Sequence, residues 1–239
     1  MVYTELFSRV ISGLYPPRCV LCDNPGYLDL DICDGCLSDL RRIKQACRHC
    51  AIPLESDVEG LICGRCLRKP PPFDAALSPF HYAHPMDWLV QQLKFHRKLS
   101  HGQLLGNLMT EFLASRVSNV PDCLIAVPLH SKRLGERGYN QALELAKPIA
   151  AELGIPIDIQ LCRRIRHTTA QLGLDAKQRR ANLRHAFDLS GKPSYRHIAL
   201  IDDVVTTGTT VSSLATLLKS KGVERVEVWS LCRAALNHE

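Results

Sequence analysis

The chain has 239 residues, 46% hydrophobic and 23% charged, with a formal net charge of +6. That balance excludes a disordered or fibrous protein, and no apolar run approaches the roughly 20 residues that span a bilayer, so no membrane insertion is expected. The leading stretch MVYTELFSRVISGLYPP has Glu5 near its start, no basic leader and no small-residue cleavage pattern, so a cytoplasmic protein is expected.

Within that stretch Leu6, Phe7, Val10, Ile11 and Leu14 trace one face of a short helix. Next come four C-x-x-C pairs: Cys19/Cys22, Cys33/Cys36, Cys47/Cys50 and Cys63/Cys66, separated by ten, ten and twelve residues. Two thiolates three positions apart on a tight turn reach one tetrahedral ion, and two such turns close a four-sulfur shell. Without a secretory leader disulfides are disfavoured, and paired spacing does not match the usual iron–sulfur runs. A segment this short is near the size where an apolar core alone stops sufficing. Structural zinc can add roughly 10–16 kcal/mol of binding energy to folding.

Two structural zinc sites, each of four cysteines, are therefore expected, with no open position for catalysis. Sequential partition is favoured, Cys19/Cys22 with Cys33/Cys36 and Cys47/Cys50 with Cys63/Cys66, although crossed or nested pairings satisfy the same chemistry. Each filled site carries a net charge of −2, so the basic residues elsewhere stand out more than the whole-chain charge implies. Cys123, Cys162 and Cys232 lie in apolar stretches and read as buried residues.

Lys69-Pro70-Pro71-Pro72 cannot continue a helix or a central strand and reads as a linker, dividing a zinc-ribbon domain over 1–69 from a second domain over 73–239. FDAALSPFHY (73–82) predicts a strand or strand pair, and MDWLVQQLKF and LLGNLMTEFL carry helical spacing. DCLIAVPL (122–129) is a short apolar run, followed by the helix YNQALELAKPIAAELG (139–154) and the predicted strand IPIDIQLC (155–162). The strand HIALIDD (197–203), the helix GTTVSSLATLLKSKG (208–222) and the strand VERVEVWSLC (223–232) complete the order. Alternation of this kind, with strands apolar along their whole length, predicts an α/β fold with a parallel sheet covered on both faces.

Ligands of such sheets sit beyond the carboxyl ends of the strands. There the chain reads LIDDVVTTGTT (200–210). Asp202 and Asp203 are neighbouring carboxylates whose repulsion raises both pKa values unless something cationic or rich in donors is near. They can accept bonds from two vicinal sugar hydroxyls, or hold magnesium through water. Thr206, Thr207, Gly208, Thr209 and Thr210 lead into a helix whose free amides and positive dipole suit a phosphate. A simple helix cap needs one such residue, not four threonines and two acids. The charge is also segregated: residues 130–185 hold eleven basic and five acidic side chains, the whole surplus of +6. That segment is expected to meet a polyanion.

Four apolar residues, Ile198 to Ile201, followed by Asp202, Asp203, Thr206, Thr207, Gly208 and Thr210, resemble the PRPP-binding motif D-D-x-x-T-T-G-x-T of type I phosphoribosyltransferases. RGYNQALELA (137–146), RIRHTTAQLGLDAKQRRANLRHAF (164–187), PPRCVLC and the cysteine pairs resemble the ComF/GntX group of competence-associated proteins over nearly the whole chain. The resemblance implies a type I phosphoribosyltransferase-like parallel sheet flanked by helices, joined to a small N-terminal double zinc ribbon. It also implies PRPP and magnesium as ligands, and DNA uptake in natural transformation as the role. By the same resemblance His130, Ser131 and Lys132 lie in the pyrophosphate loop, with Arg137 and Asn140 beside it. Arg164, Arg166, Thr168, Gln171, Arg179 and Asn182 lie in the loop that closes over PRPP.

Three readings follow. The first is a phosphoribosyltransferase whose acceptor no residue identifies. The second, ranked first, is a DNA-uptake protein that keeps PRPP and magnesium binding, holds single-stranded DNA and works with other uptake proteins. With 6% aromatics the chain has few stacking platforms for bases. The third is a scaffold whose zinc ribbons recruit partners.

Overall fold

The computed structural model describes residues 16–28, 30–56, 58, 60–96, 98–166 and 186–235. The predicted helix around Leu6 to Leu14 lies outside them, as do Thr168, Gln171, Arg179 and Asn182. Contacts divide the chain into two compact units, with the division after Arg41. The second cysteine set thus shares a unit with everything that follows it.

In the smaller unit, Cys19, Cys22, Cys33 and Cys36 converge with their sulfurs within 4.8 Å of one another. The Cys19 carbonyl accepts from the Asp23 amide at 2.8 Å, with Asp23 in the left-handed region (φ 63°), and Arg18 bridges Pro25. Helix α1 (Asp34–Ser38) begins at Cys33, which caps it by accepting from the Cys36 amide at 3.5 Å. In the larger unit the same build recurs for Cys47, Cys50, Cys63 and Cys66. The Cys47 carbonyl accepts from Ala51 at 2.8 Å, Ala51 has φ 54°, Ala46 bridges Pro53, and α2 (Gly64–Arg68) starts after Cys63. The chain therefore carries the ribbon half-site twice, and the partition is sequential.

The main sheet is parallel, ordered β1 (Ala75–Leu77), β7 (Arg225–Arg233), β6 (His197–Val205) and β3 (Cys123–Ala126). The short β2 (Phe80–His81) continues along the same edge of β7. Pro79, which lacks an N–H, interrupts that edge, a place where a strand tolerates it. Helix α3 (Met86–Phe95) and α4 (Leu99–Ala114) follow β2; α5 (Ser131–Arg137) and α6 (Gln141–Leu153) follow β3; α7 (Thr209–Ser220) follows β6. A small antiparallel pair, β4 (Cys162–Arg164) with β5 (Phe187–Leu189), stands apart from the main sheet.

Strand alternation assigns the faces. Ile198 and Leu200 of β6 share a cluster with Val211, Leu214, Ala215 and Leu218 of α7. Helix α6 packs on β3 and β6, and α4 packs on α6 and β7. The α4–α6 approach is close: a methyl group added at Gly106 would collide with Pro148, and one at Gly102 would meet the Glu144 Cβ at 3.1 Å. Glycine in a helix interior costs about 0.5–1 kcal/mol against alanine, and here it admits the neighbouring helix.

Two predicted elements differ. Of IPIDIQLC, residues 155–161 make only an isolated parallel bridge, Leu124 to Ile157, and Cys162 begins β4. Pro156 has no amide to give, and the Asp158 carboxylate accepts from the Gln160 and Leu161 amides at 2.8 and 2.9 Å, turning the chain away. Pairing of β6 with β7 continues past the two acids to Val205. Among the described residues no helix is long and apolar enough to cross a membrane.

Candidate functional site

Neighbouring strand residues point to opposite faces, and the two acids meet different surroundings. Asp203 is 3% exposed and forms an ion pair with Lys94 at the end of α3, 2.9 Å from its Oδ1. Its Oδ2 is buried with no hydrogen-bond partner. Burial works against the Lys94 charge, but Asp203 and Asp202 outweigh it and raise its pKa. Asp202 accepts the Asp203 amide at 2.9 Å and lines the threonine loop. Burial and the Asp203 charge push the Asp202 carboxyl up to about 7, against the opposing pull of Lys94. The repulsion noted in the sequence is thus relieved on one side by a lysine and left standing on the other.

Both acids line a cavity of about 540 Å³ whose other charged walls are Lys94, Arg133, Arg137, Arg164 and Glu136. Burial lowers the pKa of Arg137 and of Arg164. The Arg137 guanidinium also lies over the exposed Phe95 ring at 5.5 Å and donates to Gln141. Beside the cavity, Val205 to Val211 enclose a smaller hollow of about 40 Å³. Gly208 adopts φ +77° there, a conformation that side chains resist. Thr207 and Thr209 share a hydroxyl bond of 2.7 Å, with Thr206 exposed and Thr210 half-buried. The N-cap of α7, Gly208, makes no side-chain hydrogen bond, and of the first amides Thr209 donates to the Thr207 hydroxyl at 3.4 Å.

The residues of the other two predicted loops separate by role. His130 caps α5 by accepting the Lys132 amide at 3.2 Å and bridges Arg164. Ser131 and Lys132 are exposed on the first turn and do not line the cavity, nor does the exposed Arg166. Asn140 caps α6 through its Oδ1 at 3.0 Å from the Ala142 amide and donates to the Val127 carbonyl at 3.0 Å. It thereby ties the start of α6 to the chain just after β3.

Lys94, Arg133 and Arg233 are functional candidates that the sequence reading missed. Arg233 is 2% exposed; its guanidinium donates to the carbonyls of Cys50 and Val205 at 2.8 Å each, Ala234 at 3.0 Å, and Thr206. One buried cation thereby ties the second cysteine turn to the root of the threonine loop. Burial lowers its pKa, while the Cys50 and Cys63 sulfurs act the other way. No local motif marks it, because all four acceptors are backbone atoms.

Both cysteine sets fit zinc. Four sulfurs at about 2.3 Å from one ion lie roughly 3.8 Å from each other, and the contacts Cys22–Cys33, Cys22–Cys36 and Cys50–Cys63 are 3.5, 3.6 and 3.8 Å. Burial opposes ionisation of Cys19, but amides of Cys33, Leu21 and Cys22 overcome it and lower the thiol to about 6. The Cys47 thiol, likewise opposed by burial and favoured by amides, falls to about 7. Thiolates of this kind are the ligating form.

The raised Asp202 carboxyl makes one test simple. Its charged form is disfavoured in the fold, so stability is lost as pH rises from its unfolded value near ~4 through about 7. Asp202→Asn has no such loss. Thermal melts should show the variant level with the parent near pH 4 and several degrees higher at pH 8, about 2–4 °C for each kcal/mol in a chain of this size.

A double zinc ribbon domain family matches residues 10–67, and a phosphoribosyl transferase domain family matches residues 140–237. The DNA utilization protein YhgH of Salmonella typhi is 40% identical over 223 residues, 91% of this chain and 97% of its own. Competence protein F of Haemophilus influenzae is 35% identical over 227 residues, with the same coverage of 91% and 97%. The solved glutamine PRPP amidotransferase of B. subtilis aligns over 54% of this chain and 26% of its own, at 18% identity and a TM-score of 0.38. With such identity over nearly its full length, the chain belongs to the ComF/GntX family that includes competence protein F and the DNA utilization proteins, a double zinc ribbon joined to a phosphoribosyltransferase-type domain.

Proposed function

We propose that this protein acts in the cytoplasm in DNA uptake, binding PRPP with magnesium at the end of β6 and holding single-stranded DNA for other uptake proteins. One observation carries the small-ligand part: Asp202 and Asp203 share a cavity of about 540 Å³ with Lys94, Arg133, Arg137 and Arg164, next to the uncapped start of α7. The loop amides take the 5′-phosphate. The arginines suit a pyrophosphate through their forked donors. Asp202 accepts from a ribose hydroxyl, and Asp203, paired with Lys94, stands beside it for the same purpose. Magnesium, when bound, offsets the pyrophosphate charge. The two carboxylates are suitable hard donors for it, and the unpartnered Asp203 Oδ2 supports that fit. The names of the relatives, competence and DNA utilization, support the biological part.

Titration calorimetry with PRPP and magnesium should give saturable heat with the parent protein. Asp202→Asn should weaken binding at least tenfold while the fold melts at or above the parent temperature. Absence of heat from the parent protein removes the PRPP reading. For DNA, a labelled single strand titrated at several salt concentrations should show log affinity falling with log salt by several units, about 0.7 for each phosphate neutralised. A flat response removes the DNA reading.

A further inference from the structure

Resting on that reading of the protein as a single-stranded DNA binder, we infer that the strand runs through a second cavity, between α2 of the second ribbon and the first turns of α7. This cavity also measures about 540 Å³ and lies wholly within the larger unit. Its lining includes Thr207, Gly208 and Thr209, the backbone that also encloses the small phosphate hollow.

Three features give its chemistry. First, Arg65, Arg68 and Lys69 border it at spacing i, i+3, i+4, so they share one side of α2 and its end. All three side chains are exposed, and among the described residues none has an ion-pair partner and no carboxylate lines the cavity. Like charges at such spacing repel, and a polyanion laid across them would remove that cost. Second, Pro70, Pro71, Pro72 and Phe73 form an apolar wall that suits the faces of sugars and bases. Third, the opposite wall offers hydroxyls of Ser212, Ser213 and Thr216 from one side of α7. Ser213 and Thr216 spend their hydrogens on the Thr209 and Ser212 carbonyls at 2.9 Å, leaving oxygens to accept from base amino groups. Arg65 and Arg68 lie just under a turn apart on α2 and Lys69 follows at its extended end; three exposed cations in this arrangement suit separate phosphates, so the occupant is a strand and not a lone nucleotide.

The basic surplus over 130–185 pointed elsewhere, because α2 lies in a stretch whose charges cancel in the sequence. The cavity brings three exposed cations together, and no carboxylate of a described residue lines it.

The test is fluorescence anisotropy with a labelled oligothymidylate on the full, zinc-loaded chain. Arg65→Ala/Arg68→Ala/Lys69→Ala should weaken binding at least tenfold and reduce the salt slope by about 2, the share of three phosphates on a single strand. PRPP affinity should stay within twofold. A charge-matched variant at exposed sites elsewhere, Arg116→Ala/Lys192→Ala/Lys221→Ala, should change affinity by less than threefold. Arg68→Glu alone should weaken binding at least fivefold, which covers the case in which the triple variant folds poorly. Equal loss in the charge-matched variant overturns the assignment, as does full competition by equimolar thymidine monophosphate. Binding by the parent that the α2 variants leave unchanged overturns this inference alone. No binding by the parent overturns it together with the DNA reading it rests on.

Discussion

Replacing Arg233 by alanine should destabilise the larger unit by about 3–5 kcal/mol, the range of large buried truncations that also strand polar partners. The side chain is 2% exposed and is the donor to the carbonyls of Cys50, Val205, Thr206 and Ala234. Alanine leaves those oxygens facing a void. Arg233→Met separates the causes, because it fills most of the volume and removes only the donors. We expect Met to recover part of the stability in a denaturant melt. In both variants the amides at 206–209 should exchange faster with deuterium, and PRPP should bind at least tenfold more weakly. A methionine variant with unchanged exchange and affinity would show that Arg233 is merely packing.

The second large effect concerns zinc. Parent protein should carry two zinc ions per chain by mass spectrometry, and Cys22→Ser and Cys47→Ser should each carry one. A structural zinc contributes roughly 10–16 kcal/mol of apparent binding energy, far beyond the stability of an ordinary domain. Cys47→Ser should therefore unfold its ribbon. The consequence does not stop there, because the Cys50 carbonyl is one of the acceptors of Arg233 and Cys50 and Cys66 line the α2 cavity. Limited proteolysis should cut Cys47→Ser first between residues 47 and 72, and the threonine loop should gain exchange as in the Arg233 variants. Retention of one zinc with an intact, protected ribbon would contradict the sequential sulfur sets.

These effects depend on different kinds of information. The zinc sites were legible because chelation acts at short range: a turn of C-x-x-C is a local object, and four of them in 48 residues need no tertiary guess. The parallel sheet was legible for a related reason. β6 carries the apolar run Ile198 to Ile201, and β6 and β7 are buried along most of their length, as strands covered on both faces are. The weak boundaries were those where a side chain competes with the ladder. Asp158 turned most of the predicted strand over 155–162 into a loop, while β6 continued through its own acids because β7 was long enough to pair with it as far as Val205.

The site itself was half legible. Asp202, Asp203 and the threonine loop are contiguous, so their chemistry shows in the order of letters, and Arg137 and Arg164 were found through resemblance. Lys94, Arg133 and Arg233 were not. Lys94 acts on a partner far along the chain, Arg233 acts on backbone carbonyls, and Arg133 enters only as a wall of the cavity; none of these leaves a pattern in composition or period.

By itself, then, the sequence determined two four-sulfur shells, a doubly covered parallel sheet and an acidic strand end followed by a hydroxyl-rich turn, since each arises from neighbours within a few residues. Only the tertiary structure decided which acid is neutralised by Lys94, that the second ribbon shares a compact unit with the sheet, and that Arg233 joins that ribbon to the turn. Those outcomes depend on which distant groups are desolvated together. Burial turns a 2.9 Å approach of lysine and carboxylate, or a guanidinium shared among carbonyls, from a weak surface contact into a strong constraint.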